Sequence, residues 1–404
     1  TTLTTPVTPV PTGPVTVAEP MPSYPYICTV SKPVRKNQGY LPYDGMCDFL
    51  FYDSLYKNSR SNLLEGINEM ESDPQVIVLH ARRYKRTKSG LSFSPENGLF
   101  EDYKEHGFMK TIDAIWSQSV SNFGFLDLYR EFTQPAIFAG ALVVLKELHK
   151  YLEPKFSAKR RSYYVIGMTP DSTANDQIIS SMKTIFTPSM FIAVSHLSYP
   201  VRNFRDCLIF PVAMETLPPN LVRGKDYTYG HTINETLALL GEVDKAGFSI
   251  PLGISFSLQG VYYTPKFADP ASPALDEFQL FKPCQDHSEP YYEDPKVFCP
   301  QDDWSPKLPS LAYNMREKKT ITYLTETTIT QMACNGKKFH LNLKFALAAY
   351  DVDFDHALPC SRLGFQSSGA GYNRVKNTRN VLNFIRNNYT DARANFKCRL
   401  IPVG

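Results

Sequence analysis

The stretch Asn122-Phe-Gly-Phe-Leu-Asp-Leu-Tyr-Arg-Glu-Phe132 is an aromatic-rich apolar run that ends in two carboxylates, Asp127 and Glu131. Its length and residue types suit a buried strand. The flanking segments, Gly107–Ser119 and Ala136–Leu152, carry apolar residues at three- and four-residue spacing and suit helices. The same alternation repeats along the chain. Strands are expected at Tyr26–Val30, Cys47–Leu55, Gln75–Ala81, Asn122–Tyr129, Ser162–Met168, Met190–Leu197, Ser249–Leu258 and Lys338–Val352, with Cys207–Ala213 as a competing candidate. Further helices are expected at Leu63–Glu71, Asp176–Ile185 and Glu235–Ala246. Eight strands joined by helices predict an α/β fold, a (β/α)8 TIM barrel over residues 25–404. The stretch from Gln259 to about Tyr323, rich in Pro, Asp, Phe and Tyr, is too long for a structureless loop. It is expected to form a small α+β insertion between strands seven and eight.

The 404 residues carry 43 basic and 40 acidic side chains, a net charge of +3, which is too small to predict a nucleic-acid partner. The longest apolar run, Ala136–Leu145, is too short to span a membrane and runs into Lys146 and Glu147. Opening at Thr1 without an initiator Met, the chain reads as a processed protein or one segment of a longer precursor. Three features point to secretion. The eight cysteines (28, 47, 207, 284, 299, 334, 360 and 398) lack metal-type C-x-x-C spacing, which favours disulfides. Asn234-Glu-Thr and Asn388-Tyr-Thr are N-glycosylation sequons. Residues 1–24 form a Thr/Pro-rich stalk or linker suited to O-glycosylation. Neither a metal nor a cofactor is expected, because no second His or Cys stands near His196 at ligand spacing.

The segment quoted first resembles the fourth strand of family 18 glycoside hydrolases, the chitinases and chitinase-like proteins, whose motif reads roughly F-D-G-x-D-x-D-W-E-Y. Phe123, Asp127 and Glu131 are identical to it, whereas Gly124, Phe125, Tyr129 and Arg130 stand at an Asp, the Gly, the last Asp and the Trp. Other landmarks agree: Ile27-Cys-Thr-Val and Met46-Cys-Asp-Phe-Leu-Phe-Tyr with the first two strands, Ile250-Pro-Leu-Gly-Ile-Ser-Phe256 with the seventh, and Ala348-Ala-Tyr-Asp-Val-Asp-Phe-Asp355 with the last. The resemblance implies disulfides Cys28–Cys47 and Cys299–Cys360, and leaves Cys207, Cys284, Cys334 and Cys398 unassigned.

In that family the strand-four Glu protonates the glycosidic oxygen and the substrate's N-acetyl group attacks as nucleophile, an exception to the two-carboxylate scheme. The resemblance gives Glu131 the acid's place, with a salt-bridged rim carboxylate as its ordinary alternative. Asp127 is as well read as a buried structural acid. The Asp that stabilises the oxazolinium is replaced by Tyr129, a phenol without charge at neutral pH. The sixth-strand M-x-Y-D has no counterpart: Val194-Ser-His196-Leu197 is the preferred match and Val212-Ala-Met214-Glu215 the alternative. The Trp forming the sugar floor corresponds to Ala348, and Val78-Leu-His80-Ala stands for the strand-three S-x-G-G. The basic run Arg82–Lys88 should then follow strand three at the barrel's C-terminal face, as a solvated loop or a contact for an acidic glycan. Together these departures imply a secreted, non-catalytic chitinase-like glycoprotein, binding chitin or N-acetylglucosamine-containing glycans or acting as an extracellular interaction module. The alternatives are a glycosidase using Glu131 and a scaffold that binds proteins and no sugar.

Overall fold

The computed structural model describes residues 15–402 except 36–37, 40, 58–61, 65, 97, 130–133, 172, 198–206, 220, 222–230, 286–291, 294–302 and 357–370. Eight strands close into a barrel: β1 Tyr26–Val30, β2 Phe49–Leu55, β3 Lys88–Phe93, β4 Val120–Leu128, β5 Tyr164–Met168, β6 Met190–Ala193, β7 Leu252–Ser257 and β8 Phe345–Tyr350. All neighbours are parallel, and β8 pairs with β1 while β5 pairs with β6 to complete the ring. This is the (β/α)8 TIM barrel. Helices cover it, among them Ser72–Ala81, His106–Ser117, Pro135–Leu152, Asn175–Thr184, Ile233–Lys245, Glu326–Phe339 and Asn373–Asn388.

Two expectations about strands need correction. Gln75–Ala81 is helical, because its buried residues Pro74, Ile77, Val78 and Ala81 fall on one face at helical spacing while Leu79 is 65% exposed. The third strand is Lys88–Phe93, whose sequence is polar and small for a packing reason. The Phe51 ring lies over Gly90, where a Cβ would come within 2.4 Å of it. The last strand also begins later than the sequence suggests, since Lys338 and Phe339 end the helix Glu326–Phe339. Cys207–Ala213 forms only an isolated bridge, Leu208 to Pro283.

The barrel interior is packed by Ile27, Phe49, Phe51, Leu126, Val165, Met190, Ile192, Val194, Ala346, Ala348 and Tyr350, all essentially inaccessible to solvent. Residues of alternate pleat, such as Phe93, Phe123 and Phe125, pack outward against the helices in the larger cluster. Between β4 and β5 the register slips: Phe125 pairs with Ile166 but Leu128 with Met168, so β4 carries one extra residue, a β-bulge. Both backbone groups at the bulge are satisfied by side chains. The Leu126 N–H donates to Ser92 Oγ (2.9 Å), and the Leu126 carbonyl accepts from the Tyr350 hydroxyl across the barrel (2.5 Å). Gly167 leaves room for this, since a Cβ there would lie 2.4 Å from that carbonyl and 2.7 Å from the Tyr350 oxygen.

Between β7 and β8 the chain forms a five-stranded antiparallel sheet from Gly260–Tyr263, Tyr292–Glu293, Trp304–Leu308, Leu311–Asn314 and Lys319–Thr322. A 3-10 turn at Leu275–Phe278 accompanies it, with no α-helix among its described residues. At the other end of the chain, residues 1–14 lie outside the described residues. Thr16–Val17 pairs with Phe186–Thr187, and Met21 joins the packing beneath the barrel interior, so the last part of the Thr/Pro-rich segment lies against the barrel.

Disulfides join Cys28 to Cys47, Cys207 to Cys284, and Cys334 to Cys398. Cys299 and Cys360 lie outside the described residues. No helix among the described residues is long and apolar enough to cross a membrane.

Removing the hydroxyl in Tyr350→Phe should leave the buried Leu126 carbonyl unsatisfied and cost about 1–3 kcal/mol. Urea denaturation measures this, and a midpoint equal to that of the parent protein would show that the bulge does not depend on the hydroxyl.

Candidate functional site

In a parallel barrel the strands end on one face, and their final inward-pointing residues line its mouth. Here those ends supply Asp53 from β2, Ser92 from β3, Asp127 from β4, Ser255 and Ser257 from β7, and Tyr350 from β8, with Asp351 immediately after it. Lys57 follows β2 and His196 follows β6. The β4 bulge brings Asp127 into this set, and the Lys57 ammonium lies 3.1 Å from its Oδ2. Asp351, in the left-handed backbone region at φ 58°, accepts from the Ser257 hydroxyl at 2.9 Å and donates its own N–H to Thr29 Oγ1.

Three carboxyl groups thus share one ammonium. Burial raises Asp53 to about 7; the Lys57 charge works against that rise, and the charges of Asp127 and Asp351 add to it. Asp351 is likewise raised, chiefly by burial. Burial alone would lower the Lys57 pKa, but the carboxylates of Asp127 and Asp53 outweigh it and raise the group above its ordinary range. Lys57 is therefore a fixed cation at the mouth, 34% exposed along its side chain, whereas that of Asp127 is 10% exposed. Tyr350 is held protonated, first by burial and then by the charges of Asp53, Asp127 and Asp351.

His196 is 2% exposed, with Nδ1 2.8 Å from Ser255 Oγ and its ring 4.6 Å from that of Tyr350. Burial, with the charges of His231 and Lys57, lowers its pKa to about 3, so it is a neutral imidazole. Ser195 and Ser255 exchange backbone and hydroxyl hydrogen bonds, which continues the β6–β7 pairing beyond the strand end. Of the two candidates for the sixth-strand motif, His196 stands at the strand end. Met214 is not on a barrel strand, and its carbonyl accepts from the Ile233 N–H.

The remaining sequence-derived residues distribute as follows. Glu131 lies outside the described residues. Tyr129 is 8% exposed, and its phenol is electrostatically linked to Lys57. Ala348 sits in the barrel wall at the level of Ile27 and Ser255, with no exposure. The aromatic at the mouth end of β8 is Tyr350, itself 2% exposed. Gly124 could not be an Asp on this backbone, because a Cβ there would meet the Val165 carbonyl oxygen at 2.6 Å. β3 ends in Ser92-Phe93 and is followed by Ser94, whereas Val78-Leu-His80-Ala, set against the strand-three signature in the sequence, is helical.

The acids after Asp351 are architectural. Asp353 accepts from the N–H groups of Ser31 and Lys32, and Asp355 forms a fully buried ion pair with Arg374 at 2.8 Å. Among the described residues no group of three or more His, Cys, Asp or Glu is arranged to hold a metal ion. The sequon residues Asn234 and Asn388 are exposed, the first in the opening turn of a helix and the second at the end of one.

Sequence reasoning missed Asp53, Lys57 and Tyr350. Tyr350 lies within the last-strand segment Ala348–Asp355 but was not singled out there; Asp53 and Lys57 belong to no motif weighed in the sequence, and Lys57 follows a strand whose mouth-side neighbours are only evident once the strands pair. A signal for Asp53 did exist, since an acid in the apolar run Phe49–Leu55 is unusual in a buried strand.

The closed parallel barrel with its antiparallel insertion before β8 places the chain, by architecture, among the (β/α)8 barrels. More narrowly, it has the fold of chitinases and chitinase-like proteins. It superposes on a Group IV chitinase of Ostrinia furnacalis with a TM-score of 0.59 at 12% identity, covering 89% of this chain and 99% of that one. Human YKL-39, described as a pseudo-chitinase with retained chitooligosaccharide binding properties, gives 0.59 at 12% identity over 88% of this chain and 99% of that one. A chitinase-like agglutinin of Robinia pseudoacacia gives 0.51 at 11% identity, over 82% and 93%. No family model and no curated protein matches the sequence.

The Asp53 pKa carries a sign for stability. The folded state holds this proton more tightly than a free Asp at 3.8, so its contribution to folding is present below that value and is lost as pH rises through about 7. In 13C-labelled protein the Asp53 carboxyl should titrate with a midpoint of about 7. Lys57→Met should move that midpoint upward by removing the cation that favours the ionised form. A midpoint in the usual aspartate range would contradict the burial of this carboxyl.

Proposed function

We propose that this protein is a secreted chitinase-like glycoprotein that binds N-acetylglucosamine-containing glycans without hydrolysing them. The observation that carries the proposal is the Lys57–Asp127 ion pair at the barrel mouth. Substrate-assisted hydrolysis builds positive charge on the oxazolinium, and the protein must supply negative charge beside it. Here the neighbouring position is the neutral phenol of Tyr129, Asp127 is already neutralised, and a fixed ammonium stands in the same cluster. Losing one such electrostatic partner costs about 10²–10³ in rate, and an adjacent cation deepens the loss. Glu131 would then be an acid without the charge that makes protonation productive.

Secretion is supported by the three disulfides, by the exposed sequon asparagines and by the Thr/Pro-rich segment. Sugar binding is supported by the likeness to YKL-39, for which oligosaccharide binding is described despite its standing as a pseudo-chitinase.

Purified protein should release no product from N-acetylglucosamine hexamer or colloidal chitin, and Glu131→Gln should be indistinguishable from the parent in that assay. Calorimetric titration should detect binding of the hexamer by both. Turnover that Glu131→Gln abolishes would establish the glycosidase instead, and silence toward every glycan on an array would favour the protein-binding scaffold.

A further inference from the structure

The densest basic run of the chain lies at the end of the barrel opposite the mouth, not at the C-terminal face. Arg82 to Thr87 lead into β3 rather than out of it, so they lie on the N-terminal face, away from the mouth that holds Lys57 and Asp127. Arg82, Arg83, Lys85 and Arg86 are all exposed, and none forms an ion pair with a carboxylate among the described residues. The backbone beneath them is fixed. The Asp44 carboxylate accepts the N–H groups of Lys85 (2.9 Å), Arg86 (2.9 Å) and Thr87 (2.8 Å). Thr87 Oγ1 accepts from the Gly45 N–H and donates to the Cys47 carbonyl, and Cys47 is bonded to Cys28 of β1. Tyr84 donates its hydroxyl to the Pro42 carbonyl. At Gly45, with φ +88°, the missing side chain leaves space for the Arg86 guanidinium, which a Cβ would meet at 2.8 Å.

The four exposed cations therefore stand on a backbone held in one conformation, as a fixed array. From this geometry we infer a second binding site, specific for a sulfated polysaccharide, formed by Arg82, Arg83, Lys85 and Arg86. Guanidinium groups offer forked donors to sulfate oxygens, and a chain bearing regularly spaced sulfates can engage several cations while releasing counterions. An anionic membrane is the poorer fit, because residues 82–88 expose no apolar side chain that could enter a bilayer. The only ring among them, Tyr84, is half-buried and engaged with Pro42.

The test uses the full chain with heparin as probe. Two variants, Arg82→Ala with Arg83→Ala and Lys85→Ala with Arg86→Ala, are compared with Lys397→Ala plus Arg399→Ala, which removes the same charge from the last helix. Each loop variant should weaken heparin binding at least ~10-fold and lower the slope of log affinity against log salt by about 2. The helix variant should bind as the parent does, and saturating N-acetylglucosamine hexamer should leave heparin binding unchanged. Equal loss in the helix variant, unchanged affinity in both loop variants, or binding to phosphatidylserine vesicles in place of heparin would each overturn the assignment.

Discussion

Most of the mouth of this barrel follows from one extra residue. A strand of strict two-residue period could present Gly124 and Leu126 inward but would turn Asp127 away. The bulge changes that phase, and its cost is a stretch of backbone at Leu126 cut out of the ladder in a place with no water. Ser92 and Tyr350 supply the missing partners from β3 and β8, and Gly167 of β5 supplies the space. Four strands therefore cooperate in placing a single carboxylate. The Tyr350 hydroxyl is the keystone, because it spans the barrel and is held in its donating form by burial and by the acids above it.

That arrangement explains which parts of the fold were legible in the sequence. Tyr26–Val30 has the bounds that its apolar β-branched run suggests, and the buried strands of β4, β5 and β7 announce themselves in the same way. Lys88–Phe93 does not, because its glycine and serines serve the neighbours: Gly90 receives Phe51, and Ser92 serves the bulge. A strand selected for what it leaves empty carries no hydrophobic signature. The helix Ser72–Ala81 was obscured for the opposite reason. Its β-branched residues imitate a strand, and only the spacing of Pro74, Ile77, Val78 and Ala81 gives it away.

The site was less legible than the fold. Motif matching sets Tyr129 against a carboxylate position, but it cannot report that a lysine following β2 lies against Asp127. Lys57 stands seventy residues from its partner, and the two meet because β3 pairs with both β2 and β4. The same holds for Tyr350, at the end of β8, and His196, just after β6, whose rings lie 4.6 Å apart at an interplanar angle of 51°. Where sequence comparison weighs residues one at a time, the structure shows a balance of charge: one fixed cation among acids, of which Asp53 and Asp351 have their ionisation discouraged by burial.

Fold and charge are separable in this molecule. The groups that support the bulge are glycines, a serine, a phenol and two backbone atoms, and the phenol keeps its proton chiefly because it is buried. The backbone at Leu126 is thus satisfied by Ser92 and Tyr350, while the Asp127 side chain faces Lys57. On the opposite face the same independence lets Asp44 and the Cys28–Cys47 bond hold a basic loop in place without reference to the mouth. A barrel whose two ends are stabilised by different sets of residues is free to present a different chemistry at each.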